Sequence, residues 1–268
     1  MPDEHSPLSG LVLVLTRPLQ QARATCDALN AAGATVVNFP VLAIEPLPQA
    51  DRHALSTPAA AIVFVSANAV EFGWDALAGA GLIRNAALFA IGEATARALR
   101  TRGAAHVTTP DSGQDSEALL ALPQLNRVNG KRILLVRGAS EGGGRRALAD
   151  TLRVRGADVA EFECYRRRKI TPGEPQQRAL RERMQDSAVH GFFALSVETA
   201  QSLAENLQAF AGWQKSCLLV PHPRVAAATV ALGFAEALVA PMEDAALIDW
   251  LRAEKSLLLR FGGGPAHV

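Results

Sequence analysis

Small polar residues follow two apolar runs of the chain, where a strand would end and a helix begin. They are Ser66, Ala67 and Asn68 after "AIVFV" (61–65), and Gly92, Ala94 and Thr95 after "ALFAI" (87–91). Backbone N–H groups at a helix N-terminus, with a hydroxyl nearby, bind small anions such as carboxylates. The turn at Gly92 has one glycine where nucleotide-phosphate loops have several. Its composition therefore predicts a site for a small anion.

A second set of polar residues lies at other predicted strand ends. These are Arg17, Arg137, Ser196 and Arg224. A guanidinium group suits bidentate contacts with carboxylates. Helix N-capping alone would also explain Ser66 and Ser196, and both interpretations stay open. His222 lies between two prolines in a rigid turn, and we expect it to be structural.

Tyr165 is the only tyrosine of the chain and precedes the basic run "RRRK" (166–169). Its phenol could act as a weak acid or as a hydrogen-bond donor. The alternative is a half-buried strand residue, since tyrosine favours strands. The spacing shows no nucleophile–base pair and no acid–base pair. An enzyme built from these residues would therefore act mainly by orienting its substrate.

Several common site classes are excluded by the sequence. It contains no G-x-x-x-x-G-K-[ST], no H-E-x-x-H and no G-x-S-x-G. "GGGRRA" (142–147) satisfies G-x-G-x-x-A, and Glu163 follows at the distance that a dinucleotide site requires. Five residues separate that loop from its strand, which favours a plain glycine loop. The three cysteines form no C-x-x-C pair, and we predict neither a metal site nor a disulfide framework.

Composition and charge indicate a cytoplasmic protein of about two domains. The chain has 268 residues, 49% of them hydrophobic, and a formal net charge of +1. That charge provides no basic field for nucleic acid or for an anionic membrane surface. The run "LVLVL" (11–15) is too short for a signal sequence or a membrane span.

The sequence repeats itself once, in two copies of somewhat over a hundred residues. "LVLVLTRP" (11–18) matches "RILLVRG" (132–138), "AIVFVSANAVEF" (61–72) matches "GFFALSVETAQSL" (191–203), and "ALFAIGEATARALRTRG" (87–103) matches "CLLVPHPRVAAATVALG" (217–233). Short apolar runs alternate with helical stretches, which is typical of βαβ units on a parallel sheet. The predicted fold is α/β, with two flavodoxin-like doubly wound domains.

Two long extended segments at equivalent points of the copies predict a two-stranded β linker. If the chain crosses this linker twice, one domain combines both ends of the sequence. The expected boundaries are residues 1–39 plus 173–254 for the first domain, 40–51 and 161–172 for the linker, 52–160 for the second domain, and 255–268 for a C-terminal tail. We expect residues 1–9 and "FGGGPAHV" to be disordered.

Seven motifs in this order resemble the uroporphyrinogen-III synthase family. They are "LVLTRP", "FVSANAVEF", "AIGEATARAL", "RILLVRG", "RGADVAEFECYRR", "LSVETAQSL" and "PRVAAATVALGF", spanning roughly residues 11 to 254. The resemblance implies two flavodoxin-like domains, an active site in the cleft between them, and neither cofactor nor metal. It implies hydroxymethylbilane as substrate, a linear tetrapyrrole whose acetate and propionate arms the Gly92 turn would hold.

The implied reaction removes the terminal hydroxyl as water, passes through an azafulvene and a spiro intermediate, and inverts the last pyrrole ring. The resemblance gives Tyr165 the role of donor to the departing hydroxyl. It makes Ser66, Thr95 and Ser196 substrate-binding, with Arg17 and Arg137 as carboxylate partners. The second copy departs from the Gly-x-x-Thr form with "HPRV", where His222 and Arg224 would substitute.

We expect the protein to be a monomer, with a transient hand-over of substrate from the preceding enzyme. Two other classes fit a two-lobed chain. One is a non-catalytic binding module for a small polyanion, and the other is an oxidoreductase that uses "GGGRRA". Fluorescence quenching by NADPH would test the second.

Overall fold

The computed structural model describes residues 6–47, 52–113, 115–139, 147–186 and 189–262. The strands are β1 Val12–Leu15, β2 Thr35–Asn38, β3 Leu42–Pro46, β4 Ala61–Phe64, β5 Ala87–Ala90, β6 Arg132–Ala139, β7 Asp158–Lys169, β8 Gly191–Phe193, β9 Cys217–Val220 and β10 Glu236–Val239. The helices are α1 Leu19–Ala31, α2 Ala67–Gly79, α3 Glu93–Thr101, α4 Ser116–Leu120, α5 Pro123–Asn126, α6 Ala147–Val154, α7 Glu174–Asp186, α8 Val197–Leu207, α9 Pro223–Thr229, α10 Asp244–Ala253 and α11 Lys255–Leu258. Short 3₁₀ turns cover Arg52–Leu55, Trp213–Lys215 and Val230–Leu232.

The chain divides into two compact units. Unit 1 comprises residues 1–43 and 168–268, and unit 2 comprises residues 44–167. The division falls inside both segments that the sequence predicts as linker.

Unit 1 is built on a parallel five-stranded sheet with the order β10-β9-β8-β1-β2. Counted along the unit this is the flavodoxin-like order 2-1-3-4-5. Val12 and Val14 of β1 enter one apolar cluster, while Leu13 and Leu15 enter another. Because successive side chains of a strand point to opposite faces, the sheet is covered by apolar residues on both sides. The prediction of a doubly wound α/β fold is confirmed.

Unit 2 is built on a sheet with the order β3-β7-β6-β4-β5, in which β7, β6, β4 and β5 are parallel. Counted from β6, these four strands follow the same 2-1-3-4 order. Thr108 forms a parallel bridge to Phe89 and takes the fifth place. Each unit therefore takes its first two strands from one sequence copy and the rest from the other.

The strands β3 and β7 pair with each other where the chain passes between the units. The Leu47 N–H donates to the Cys164 carbonyl over 3.0 Å, and the Ile170 N–H donates to the Val41 carbonyl over 3.0 Å. Partner numbers rise on one strand as they fall on the other, so the pairing is antiparallel.

Both chain ends contain segments that pack, where the sequence suggests loops. Leu8 is fully buried, and its N–H donates to the Ala32 carbonyl over 2.9 Å. The region expected to be a tail begins with α11, whose Leu258 is also fully buried. Single apolar anchors in short segments produce no periodicity, so sequence patterns do not reveal them. No helix among the described residues is long and apolar enough to cross a membrane.

Candidate active site

Ser66 begins α2 and makes two hydrogen bonds through one oxygen. Its Oγ accepts the N–H of Ala69 over 3.0 Å, which is an N-cap. The same Oγ lies 3.0 Å from the phenol oxygen of Tyr165, and either hydroxyl can donate. The capping interpretation and the functional interpretation of Ser66 are therefore compatible.

Tyr165 lies in the core of unit 2, and within the described ranges its hydroxyl forms a hydrogen bond only with Ser66. The residue is 4% exposed, and its ring lies 5.8 Å from the ring of Phe72 in α2. The preceding residue, Cys164, is also buried, and burial raises the pKa of its thiol to about 12. That thiol is therefore protonated at neutral pH and is no candidate nucleophile. Of these two neighbouring side chains, Tyr165 therefore stays the predicted catalytic residue.

The helix α3 begins at Gly92 without a side-chain cap. Its first turn closes through Thr95 N–H to the Gly92 carbonyl over 3.1 Å, which leaves the N–H groups of Glu93 and Ala94 at the open helix end. The φ of Gly92 is −175°, an extended value open to any residue. Because Gly92 has no side chain, nothing of this residue covers the N–H groups of Glu93 and Ala94.

Thr95 is 3% exposed, and its hydroxyl forms no hydrogen bond with the part of the chain that the structure describes. Its oxygen is not among the fully buried atoms that lack a partner, so it reaches solvent and is open to a ligand. This hydroxyl and the uncapped start of α3 are the groups predicted to bind an anion.

These residues belong to neighbouring strand ends. The Ile91 N–H donates to the Phe64 carbonyl over 3.1 Å, and the Val65 N–H donates to the Val136 carbonyl over 3.2 Å. Strands β5, β4 and β6 therefore end side by side, where ligands of doubly wound sheets bind. We call Ser66, Gly92, Thr95 and Tyr165 the unit 2 rim. Ala67 opens α2 and is exposed, and Asn68 follows it half-buried.

Arg137 is engaged by acidic side chains of its own unit. Its guanidinium donates to Glu161 over 2.9 Å and lies 3.7 Å from Glu163, with 14% of the side chain exposed. Its charge is balanced within the protein, which weakens its predicted role as a substrate partner. Glu163 was also the acid of the candidate dinucleotide site, whose loop, Gly142–Gly144, lies outside the described residues.

The predicted residues of unit 1 occupy similar strand ends. Ser196 caps α8, where its Oγ accepts the Thr199 N–H over 3.2 Å. Arg17 follows β1 and is half-buried, and none of the described acidic residues forms an ion pair with it. Burial lowers the pKa of Arg17, and nearby Asp244 opposes that shift. Such a guanidinium gains from an added anion.

The segment "HPRV" (222–225), which stands where the first sequence copy has Gly-x-x-Thr, begins α9 with a side-chain cap from His222. Its Nδ1 accepts the N–H of Arg224 over 3.1 Å and caps α9. This favours the structural role expected for His222. Arg224 itself is exposed.

The sequence reasoning missed Gly138 and Phe72, which surround the ring of Tyr165. The only signal for Gly138 was a glycine two positions after the apolar run "ILLV" (133–136). No group of three or more His, Cys, Asp or Glu residues that could hold a metal ion occurs within the described ranges.

Comparison with known proteins supplies a family for this arrangement. The family model described as Uroporphyrinogen-III synthase HemD matches residues 24–248, which is most of the chain. The chain belongs to this family. Membership in the uroporphyrinogen-III synthase HemD family covers both units and every residue of the unit 2 rim.

Two bacterial relatives agree with the family model. The uroporphyrinogen-III synthase of Salmonella typhimurium is 39% identical over 163 residues, which are 58% of this chain and 64% of that protein. The Escherichia coli K12 enzyme of the same name is 35% identical over 161 residues, again 58% of this chain and 64% of that protein. The chain thus spans somewhat less than two thirds of these relatives in the matched regions.

A solved structure supports the fold. The uroporphyrinogen-III synthetase of Helicobacter pylori 26695 aligns with a TM-score of 0.59 at 16% identity, over 93% of this chain and 100% of that one. At this identity the likeness concerns the fold alone.

Proposed function

We propose that this protein cyclises hydroxymethylbilane and inverts the last pyrrole ring, which gives uroporphyrinogen III in tetrapyrrole (haem) biosynthesis. It would be a lyase-type cyclase that needs no cofactor. Family membership supports the reaction class, since both relatives described above are named for this synthase. The structural observation that carries the proposal is the hydrogen bond between Tyr165 and Ser66 at the unit 2 rim.

The proposed catalytic group is the phenol of Tyr165. The Oγ of Ser66 already accepts the Ala69 N–H, so its own hydrogen is available to the phenol oxygen. When Ser66 donates in this way, the phenol keeps its hydrogen for the substrate. Tyr165 gives that proton to the terminal hydroxyl as the carbon–oxygen bond breaks, and water leaves. A pyrrole N–H returns a proton to the phenolate, which leaves a neutral azafulvene.

The remaining steps require orientation rather than further acid–base groups. The substituted carbon of the last ring attacks the azafulvene and forms a spiro intermediate, and fragmentation and reclosure invert that ring. Free hydroxymethylbilane closes unaided to the uninverted type I isomer. The enzyme therefore has to favour one of two closures of the same chain, which is a task for substrate positioning.

The groups proposed to position the substrate hold its carboxylate arms. The open end of α3 and the Thr95 hydroxyl offer N–H and O–H donors, and both lack partners among the described residues. Arg17 and Ser196 of unit 1 are proposed as further contacts, with Arg224 in a weaker role because it is exposed. Donors of this kind bind carboxylates without requiring a strongly positive protein, which fits a net charge of +1.

The same proposal includes the cellular setting of the reaction. The enzyme would act in the cytoplasm as a monomer. Because its substrate closes spontaneously, a transient hand-over from the enzyme that makes the bilane would protect the yield of type III product. Light scattering of the purified protein tests the monomer.

Isomer analysis tests the proposed function directly. Purified protein is added to freshly made hydroxymethylbilane, the products are oxidised, and type I and type III uroporphyrin are separated. We expect predominantly type III product, and a clear loss of turnover in Tyr165→Phe with the fold retained. Type I alone from a folded protein would refute the synthase proposal. Unchanged type III formation by Tyr165→Phe would remove Tyr165 from the mechanism.

A further inference from the structure

An irregularity in the pairing of β6 with β7 sets the direction of Tyr165. Up to Arg137, which pairs with Glu163, each residue of β6 faces one residue of β7. The next pair is Gly138 with Tyr165, so Cys164 is an extra residue on β7. Such bulges are rare between parallel strands, and they redirect side chains.

The contacts of the two neighbouring side chains show the effect. Cys164 lies under α2, with its Sγ 3.7 Å from the Ala69 carbonyl. Tyr165 also faces α2, through Phe72 and through Ser66 at the helix start. In a regular strand, consecutive side chains point to opposite faces of the sheet. Without the bulge, Tyr165 would therefore point to the face of Glu163 and not to Ser66.

Gly138 leaves the space that the redirected ring occupies. A Cβ atom built on Gly138 would lie 2.6 Å from both Cε2 and Cζ of Tyr165. Carbon atoms in contact are normally about 3.5–4.0 Å apart, so the ring would have to move by about 1 Å. The Tyr165–Ser66 hydrogen bond is 3.0 Å long, and a displacement of that size would break it.

We propose that Gly138 is a positioning residue, which with the bulge at Cys164 holds the Tyr165 phenol on Ser66 in the orientation that the reaction requires. The part of this inference that concerns turnover rests on the proposed function. The part that concerns the phenol itself does not, because the hydrogen bond joins two side chains of the protein.

The single tyrosine of the chain makes the phenol directly observable. Protein labelled with [ζ-13C]tyrosine has one side-chain resonance at this position, which reports the hydrogen bond of Tyr165. We expect Gly138→Ala to shift this resonance in the direction that Ser66→Ala shifts it. The matched control is Gly79→Ala in α2, where an added Cβ meets nothing within 4 Å, and its resonance should stay in place.

Kinetics on hydroxymethylbilane measure the consequence. A misplacement of about 1 Å costs on the order of 100-fold in rate. We expect Gly138→Ala to lower kcat by about that factor with little change in KM, and Gly79→Ala to leave kcat unchanged. Since Gly138 acts through Tyr165, the double variant Gly138→Ala/Tyr165→Phe should be no slower than Tyr165→Phe alone.

The outcomes separate this inference from the proposed function. An unshifted resonance in folded Gly138→Ala refutes the positioning role, and so does an additive loss of kcat in the double variant. Should Gly138→Ala fail to fold, the second variant Gly138→Ala/Tyr165→Leu, whose side chain lacks the ring carbons that the added Cβ meets, must regain the fold, or the inference is wrong. If Gly138→Ala shifts the resonance but the unsubstituted protein makes no type III product, the placement of the phenol is supported and the proposed reaction is refuted.

Discussion

Replacing Ser66 by alanine removes both hydrogen bonds of one oxygen, and the cost can be worked out from each. Loss of a serine N-cap lowers the free energy of unfolding by about 1 kcal/mol. Loss of the bond to Tyr165 removes about 1 kcal/mol more, since a typical intramolecular hydrogen bond contributes that amount. We therefore expect Ser66→Ala to destabilise unit 2 by about 2 kcal/mol.

Asp115→Ala is the matched control, because Asp115 caps α4 of the same unit by accepting the Ala118 N–H over 2.8 Å and touches no tyrosine. It should cost about 1 kcal/mol. The assay is urea unfolding, monitored through the fluorescence of Trp74, which packs against Phe64 in unit 2. The other two tryptophans, Trp213 and Trp250, are replaced by phenylalanine so that only unit 2 is reported.

A double-mutant cycle isolates the bond between the two hydroxyls. Tyr165→Phe removes the phenol oxygen and leaves the ring in place. The combined variant Ser66→Ala/Tyr165→Phe should be less unstable than the sum of the single variants by about 1 kcal/mol. A coupling energy near zero would show that the two hydroxyls are not bonded in solution, and the geometry proposed for catalysis would be wrong.

Two further predictions concern other buried polar groups. Thr95→Val should change the free energy of unfolding by less than about 0.5 kcal/mol, because the hydroxyl reaches solvent and forms no hydrogen bond with the described residues. The same change should raise KM for the bilane about tenfold through a lost donor. An unchanged KM would exclude Thr95 from binding. His190 accepts the Val12 N–H at Nδ1 over 3.0 Å, and burial lowers its pKa from the ordinary value of 6.5. The unfolded chain then binds more protons below pH 6.5, so the stability of unit 1 should fall as the pH drops below that value, as measured by urea unfolding. His190→Gln should show a weaker dependence, and equal slopes for both proteins would contradict this reasoning.

Local patterns predict the strands and helices of this protein well. Continuous apolar runs such as "LVLVL" mark strands buried on both faces, and Ser66 and Ser196 are serines at the helix starts where capping favours them. These features depend on neighbours in sequence, which the sequence displays directly.

The details of the site depend on partners far apart in the chain. The Arg137 side chain pairs with glutamates on a neighbouring strand, and the direction of Tyr165 depends on a one-residue slip between β6 and β7. Strict alternation assigns Tyr165 to the opposite face of the sheet. Strand register is decided by packing across the sheet, so the sequence of one strand does not predict it.

The exchange of strands between the two sequence copies determines the order in which the units can form during synthesis. The strands of unit 2 all lie between Leu42 and Lys169, so this unit is complete while much of the chain is still being made. The first two strands of unit 1 must wait for β8, whose first residue is Gly191. At about 5–20 residues per second, that wait lasts on the order of ten seconds or more. During this time the edge of β1 that β8 will cover stays unpaired, and an unpaired apolar strand edge is a site where chains aggregate.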